Sequence, residues 1–187
     1  MSIDATATPI DAPRTAPRRA TWRFMVGHPA RTLALGLGSG LAPKAPGTFG
    51  TLAAWISFLL LDRWLGDAAW AVVIAVSLVI GVLACTRCAK DLGVADPSCI
   101  VWDEVVAFWI VLWLIVPAGW IEQSLAFGLF RFFDAVKPGP VAWADRLFKL
   151  RAGERIGWHQ GVGIMLDDLV AALCTLLVMV VLQPWMP

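Results

Sequence analysis

Five apolar segments run through most of this chain, separated by short polar stretches, and they limit the folds open to it. Hydrophobic residues make up 59% of the 187 residues and charged residues only 16%, whereas about a quarter of a typical soluble domain is charged. In a bilayer the backbone can hydrogen-bond only to itself, so spanning segments form helices or closed barrels. The segments lack the alternation of polar and apolar residues that a barrel needs. We therefore expect an all-α, multi-spanning membrane protein.

The lengths of these segments set the number of spans. The predicted segments are 52–65, 68–84, 105–121, 122–134 and 169–186. The first two form a hairpin that turns at Gly66 and Asp67, and the next two form a second hairpin. A full span takes about 20 residues, so the first and fourth segments are short. The sequence predicts about four or five apolar helices.

The basic residues predict how the chain lies in the membrane. Residues 1–31 contain five arginines and no apolar run, which predicts a disordered basic tail before a membrane domain at 32–187. Cytoplasmic loops are enriched in Lys and Arg. With the tail inside, both hairpins return to the cytoplasm, and nearly all the basic residues except Arg63 lie there. The net charge of +1 argues against nucleic-acid binding as the main role.

The four cysteines include a Cys85-x-x-Cys88 spacing. A redox pair or half of a metal site would use this spacing, but no second pair accompanies it. We interpret the cysteines as small thiols packed on helix faces.

A Gly- and Pro-rich loop at residues 36–51 precedes the first apolar segment. Loops of this kind can turn backbone N–H groups toward a phosphate. The loop has neither the Gly-Lys-Ser/Thr of a P-loop nor the third glycine of a dinucleotide-binding motif. Its candidate phosphate-binding residues are Lys44, Gly47, Thr48, Gly50 and Thr51. The alternative is an ordinary turn in which Thr48 or Thr51 caps a helix.

Three further polar clusters lie at the ends of apolar segments. They are Asp103 with Glu104, the Arg131, Asp134 and Lys137 series, and Asp167 with Asp168. The acid pairs precede apolar segments, where they could simply favour a helix N-terminus. The series spaced by three could be a row of surface ion pairs on one helix face. Acids entering an apolar span are costly unless they pair or bind an ion, which favours a functional role.

The two hairpins bring all four clusters to the cytoplasmic face. Carboxylates crowded together resist ionisation unless a cation is present, and oxygen ligands suit Mg²⁺. A small transporter or channel is the alternative, since it would use the same acids and arginines as an ion path. Such a path predicts acids near the middle of the membrane, whereas these acids lie at the ends of apolar segments.

The four clusters, taken in order, resemble the phosphatidylglycerophosphatase A family over roughly residues 30–180. The resemblance rests on the stretch from Gly36 to Thr51, on Trp102-Asp103-Glu104, on Arg131-x-x-Asp134-x-x-Lys137-Pro138 and on Gly163-Ile-Met-Leu-Asp167-Asp168. It implies an all-helical, Mg²⁺-dependent enzyme of the bacterial inner membrane. That enzyme removes the terminal phosphate of phosphatidylglycerophosphate, giving phosphatidylglycerol.

The site roles that we expect follow from the resemblance and from the chemistry of the side chains. The expected catalytic residues are Asp103, Glu104, Asp134, Asp167 and Asp168, of which all but Asp167 hold Mg²⁺. Arg131 and Lys137 would bind the phosphate together with the loop residues. The sequence has no cysteine-phosphatase loop and no Asp-x-Asp pair, and neither His28 nor His159 lies in a phosphatase motif. We therefore expect direct attack by water.

Overall fold

The structure, a computed structural model, describes residues 20–150 and 154–185, and all its regular elements are helices. The α-helices are α1 (Trp22–Val26), α2 (Pro29–Ala34), α3 (Pro46–Leu61), α4 (Asp67–Leu92), α5 (Trp102–Ile115), α6 (Trp120–Val136), α7 (Pro140–Leu147) and α8 (Trp158–Leu182). Short 3-10 segments lie at Gly36–Leu41 and Gln183–Trp185. The all-α prediction is confirmed, and each of the five predicted apolar segments overlaps one of the longer helices.

Helix α5 lies at the centre of the bundle, where it packs against α3, α4, α6 and α8. Two tryptophans fix it to its neighbours, because a buried indole needs a partner for its N–H. Trp109 Nε1 donates to Ala54 O of α3 at 3.1 Å, and Trp102 Nε1 donates to Ser77 O of α4 at 3.2 Å. The Trp109 ring also packs edge-on against Trp70 of α4, with centroids 5.9 Å apart. The central helix therefore has a fixed position relative to both α3 and α4.

Helix α8 begins eleven residues before the predicted segment, at Trp158 instead of 169. The predicted position of Asp167 and Asp168, at the N-terminus of this helix, is wrong. Gly161 is buried inside α8 at a close contact with α4, and a Cβ there would overlap Thr86 Oγ1 and Val82 O. Glycine is used here because the two backbones approach closely. Asp167 and Asp168 consequently lie within a long helix and do not open it.

Helices α4 and α6 end at backbone positions with positive φ. Helix α4 runs to Leu92, beyond the predicted end at 84, and stops at Gly93 (φ 73°). Helix α6 stops before Lys137 (φ 49°), close to the predicted end at 134. Pro140 then begins α7, a short helix that the sequence analysis did not predict.

The N-terminal part of the described chain is helical. Residues 1–19 of the predicted tail lie outside the described residues. Residues 20–31 differ from the disordered segment that we predicted, because they contain α1 and the start of α2. Thr21 and His28 cap these two helices, Met25 is buried, and Arg31 Nε lies 2.8 Å from Asp91 Oδ2 of α4. These contacts attach α1 and α2 to the bundle.

Among the residues that the structure describes, two helices are long and apolar enough to cross a membrane. They are α4, and α8 together with the 3-10 segment that continues it to Trp185. Only 28% and 44% of their most apolar stretches are buried in the protein, less than expected for the core helices of a soluble domain. Their outward faces carry exposed Val76, Val79 and Leu83 on α4, and Leu177 and Val181 on α8. These faces indicate association with a membrane.

Candidate active site

The helices bring the predicted clusters together at one end of the bundle. The start of α3, the start of α5, the end of α6 and the first half of α8 meet there. We call this the site end, and we call the opposite end, with Trp64, Trp120 and Trp185, the far end. A pocket of about 290 Å³ opens at the site end. Its lining residues are Ala45, Pro46, Gly47, Asp96, Ser98, Ile100, Asp103, Glu104, Arg131, Asp134, Lys137, Asp167 and Asp168.

Three carboxylates of this site pocket have buried oxygens without a hydrogen-bond partner in the described residues. The atoms are Asp103 Oδ1 and Glu104 Oε2 of α5 and Asp168 Oδ2 of α8. Glu104 is 8% exposed and Asp168 is 3% exposed. A buried polar atom with no partner costs about 1–3 kcal/mol in lost hydration, and a charged group costs more. The three oxygens therefore need a cation or a donor that protein side chains do not supply.

Arg131 connects three helices at the inner end of the site pocket. Its Nη1 lies 2.6 Å from Asp134 Oδ2 on α6 and 3.3 Å from Glu104 Oε1 on α5. The same nitrogen lies 3.3 Å from Thr51 Oγ1 on α3, and that hydroxyl donates to Gly47 O. All three partners contact Nη1. No other guanidinium N–H donates to a residue that the structure describes, so these groups can donate to a ligand.

Helix α3 approaches the acidic residues of α5 through two glycines. A Cβ at Gly47 would overlap Glu104 Oε1 and lie 3.0 Å from Arg131 Nη2. A Cβ at Gly50 would lie 2.8 Å from Glu104 Oε2 and 2.7 Å from Val101 Cβ. Gly47 and Gly50 therefore contribute to the site by letting α3 and α5 pack closely. The backbone N–H groups of Thr48 and Phe49 already donate to Ala45 O, so the loop offers fewer free amides than we predicted.

Lys137 is held at the edge of the site pocket by two carboxylates. Its Nζ donates to Asp145 Oδ1 of α7 at 2.9 Å and to Asp167 Oδ2 of α8. Burial lowers the pKa of Lys137, but these two hydrogen bonds outweigh it and raise the pKa above its usual range. Burial raises the pKa of Asp145, but hydrogen bonds from Lys149 and Lys137 hold this pKa below its usual range. Lys137 is therefore positively charged and fixed in place.

Two acids of this region were missed by the sequence analysis. Asp96, in the loop between α4 and α5, lines the site pocket, and Asp145 holds Lys137. Both are isolated acids in polar stretches, where a sequence offers no sign that they differ from surface residues. Of the predicted residues, Lys44, Thr48, Gly50 and Thr51 do not line the site pocket. Lys44 is exposed on the loop just before α3.

The cysteines show no sign of a redox or metal site. Cys85 and Cys88 are buried free thiols, and Cys99 and Cys174 are partly buried free thiols.

Across residues 20–150 and 154–185, no group of three or more His, Cys, Asp or Glu side chains is arranged to hold a metal ion. The chemistry of the site pocket nevertheless fits a hard cation, because its three unpartnered oxygens belong to carboxylates.

A pocket of carboxylates with an arginine and a lysine, at one end of an apolar helical bundle, defines a membrane-associated enzyme that acts on phosphate groups. Comparison with known proteins identifies it further. The chain belongs to the phosphatidylglycerophosphatase A family, whose family model matches residues 32–183. It is thus a lipid phosphatase that removes phosphate from phosphatidylglycerophosphate in phosphatidylglycerol biosynthesis.

The curated relatives support this assignment. The chain is 40% identical to phosphatidylglycerophosphatase A of Escherichia coli over 149 residues, which are 80% of each chain. It is 38% identical to that of Haemophilus influenzae over 159 residues, 85% of this chain and 91% of the relative. A putative phosphatidylinositol-3-phosphatase of Bacteroides thetaiotaomicron is 35% identical over 153 residues, 78% of this chain and 88% of the relative. No solved structure matches the chain. None of these relatives supports the transporter or channel alternative.

Proposed function

We propose that the site pocket hydrolyses the terminal phosphate monoester with Mg²⁺ held by Asp103, Glu104, Asp134 and Asp168. The observation that carries the proposal is the set of buried oxygens of Asp103, Glu104 and Asp168 that have no partner in the described residues. Bound there, Mg²⁺ would neutralise charge on the phosphate and favour attack by water.

Arg131 and Lys137 bind the phosphate oxygens in this proposal. Arg131 keeps N–H groups free beyond its Nη1 contacts, and a guanidinium can bind a phosphate with two parallel hydrogen bonds. Lys137 has three donors and uses two of them on Asp145 and Asp167. Its third donor can therefore reach a ligand while the two carboxylates hold the ammonium still. Asp167 acts by positioning Lys137.

The loop residues have smaller roles. Gly47 and Gly50 let Glu104 approach α3, and the Thr51 hydroxyl contacts Arg131. Apart from Gly47, these loop residues lie outside the pocket lining, and the exposed Lys44 would attract the anionic headgroup from the pocket entrance.

We infer that α3, α4, α5, α6 and α8 all lie in the membrane, with the site pocket at its cytoplasmic surface. Trp is enriched at both membrane interfaces. The exposed tryptophans lie at the two ends of the bundle: Trp22, Trp143 and Trp158 at the site end, and Trp64, Trp120 and Trp185 at the far end. Helices α3, α5 and α6 are about 21–26 Å long at 1.5 Å per residue. They are shorter than the hydrocarbon core of about 30 Å, so they would tilt little or locally thin the bilayer.

The basic residues support the cytoplasmic placement. Arg63, between α3 and α4, is the one Lys or Arg at the far end within residues 20–150 and 154–185. An odd number of spans puts the two chain ends on opposite sides of a bacterial inner membrane. The test uses a fluorescent protein that fluoresces in the cytoplasm but not after export across the membrane. Fused before Met1 it should fluoresce, and fused after Pro187 it should not. Equal fluorescence from both fusions would contradict five spans.

Phosphate release by the purified protein tests the activity. In detergent micelles the protein should release phosphate from phosphatidylglycerophosphate with Mg²⁺ and stop when EDTA is added. Phosphatidylinositol 3-phosphate serves as a second substrate, because one relative is named as a putative phosphatidylinositol-3-phosphatase. Faster release from this second lipid would contradict the proposed substrate. Equal release in Mg²⁺ and EDTA would contradict the role of the metal.

A further inference from the structure

Hydrolysis of an alkyl phosphate requires a proton that the site described so far does not supply. When the P–O bond to the glycerol breaks, its electron pair stays on the glycerol oxygen, and an alkoxide is a poor leaving group. A general acid that protonates this oxygen accelerates such reactions by about 10²–10⁴-fold. Asp103, Glu104, Asp134 and Asp168 are proposed to hold a cation, and an arginine cannot give up its proton.

The histidines do not lie in the site pocket. His28 Nδ1 accepts a hydrogen bond from Ala30 N at the start of α2. His159 stacks on Trp158, with ring centroids 3.8 Å apart, and faces a separate cavity with Arg155. Lys137 is held as a cation by Asp145 and Asp167. Asp167 is engaged as the hydrogen-bond partner of Lys137, so the remaining proton-bearing groups of the pocket lining are Asp96 and Ser98, and a serine hydroxyl is a weak acid.

We propose that Asp96 is the general acid that protonates the leaving glycerol oxygen. Asp96 lies in the loop between α4 and α5 and lines the site pocket. It is exposed to solvent and accepts no side-chain hydrogen bond within the described residues. The phosphate would occupy the inner end, beside Arg131 and the unpartnered oxygens. Asp96, exposed at the rim, is placed to meet the leaving oxygen, because the glycerol must extend out of the pocket.

The surroundings of Asp96 favour its protonated form. Burial is the largest effect on Asp96 and raises its pKa, Lys137 and Lys149 lower it, and Asp145 and Asp134 raise it by smaller amounts than burial does, so that the net pKa lies above its usual range. Asp167 also faces it from α8, across a cavity of about 70 Å³ that both residues line. An acid with a raised pKa is protonated over more of the working pH range.

The proton balance closes without another reactant. Water attacks phosphorus, the P–O bond to the glycerol breaks, and Asp96 transfers its proton to the glycerol oxygen, releasing an alcohol. The attacking water loses a proton on becoming part of the phosphate, and solvent returns one proton to the Asp96 carboxylate. This inference rests on the proposed function, because it places the phosphate in the site pocket.

A comparison of leaving groups tests the proposal. The substrates are phosphatidylglycerophosphate and p-nitrophenyl phosphate, whose nitrophenolate leaves without protonation. We expect Asp96→Asn to lower kcat on the lipid by about 10²–10⁴-fold and to change hydrolysis of the aryl ester less than about threefold. Asp67→Asn is the matched control, because it removes an exposed carboxylate at the far end, and both of its rates should equal wild type. The proposal would be overturned if Asp96→Asn lowered the hydrolysis rates of both substrates equally, or did not lower kcat on the lipid.

The pH dependence of kcat on the lipid gives a second measurement. It tests Asp96 as the general acid even when the wild type does not cleave the aryl ester. A general acid works only when protonated, so the wild-type rate should fall as pH rises through the pKa of Asp96. Asp96→Asn should lack this fall, and an unchanged fall would overturn the proposal. Absence of any wild-type phosphate release would refute the proposed function itself.

Discussion

Replacing Gly50 with alanine should displace Glu104 and slow catalysis. The new Cβ would lie 2.7 Å from Val101 Cβ and 2.8 Å from Glu104 Oε2, whereas ordinary contacts begin at 3.4 Å. The first turn of α5 would therefore move about 0.6–0.7 Å away from α3, the difference between these distances. Val101 Cβ is fixed to the backbone, so rotation of a side chain cannot absorb the whole shift.

The expected cost is measurable in both stability and rate. Overpacking a core costs about 1–3 kcal/mol, which should appear as a lower melting temperature in detergent. A misplacement of about 1 Å at a reacting centre can cost about 10²-fold in rate, so a shift of this size should lower kcat about tenfold. Phosphate release from phosphatidylglycerophosphate at saturating Mg²⁺ measures the rate.

Gly128→Ala is the matched control for Gly50→Ala. Gly128 lies on α6, and a Cβ there would meet nothing within 4 Å, so both kcat and the melting temperature should stay at or above their wild-type values. Full activity of folded Gly50→Ala would refute the reasoning, because Glu104 would then not depend on close contact with α3.

Three further substitutions have distinct expected outcomes. Arg131→Lys should lower kcat/KM at least tenfold with little change in melting temperature, because an ammonium cannot bind phosphate with two parallel hydrogen bonds; an unchanged kcat/KM would exclude that contact. Asp145→Asn should lower kcat/KM about tenfold, since Lys137 loses one charge-assisted hydrogen bond, and Asp145→Glu should restore part of it; equal kcat/KM in Asp145→Asn and wild type would show that Lys137 needs no such anchor. Gly161→Ala should destabilise the protein by about 1–3 kcal/mol, because its Cβ would overlap Val82 O on the α4 backbone; an unchanged melting temperature would contradict the close packing of α4 and α8.

The sequence could predict the parts of the site that lie beside apolar segments. Asp103 and Glu104 stand out because they lie in the first turn of a helix whose other residues are apolar. Arg131 and Asp134 stand out because their spacing puts them on one helix face. In each case charged residues stand among apolar ones, and the sequence alone shows this.

The contacts that complete the site could not be predicted in the same way. Asp96 and Asp145 lie in polar stretches, and only tertiary packing brings them beside Lys137. Gly161 resembles a helix breaker in the sequence, but in the structure it is the point at which α8 touches α4. Its role depends on Val82 and Thr86 of α4, which lie far from Gly161 in the chain.

The chain has eleven tryptophans, and the structure shows two different uses for them. Trp102 and Trp109 fix α5 to its neighbours through their indole N–H groups. Trp64 and Trp185 instead are exposed at the far end, where interfacial indoles would anchor the helices. The sequence alone does not separate these two uses.

The Mg²⁺ dependence of kcat in Asp168→Asn tests the central claim most directly. Asp168 is 3% exposed, and its Oδ2 has no partner in the described part of the chain. Replacing a buried, unpaired carboxylate with a neutral amide should leave the melting temperature equal or higher, so lost activity would not reflect unfolding. We predict that kcat on phosphatidylglycerophosphate falls at least about 10²-fold and that half-maximal activity requires more Mg²⁺. Wild-type kcat at the wild-type Mg²⁺ requirement would contradict the account.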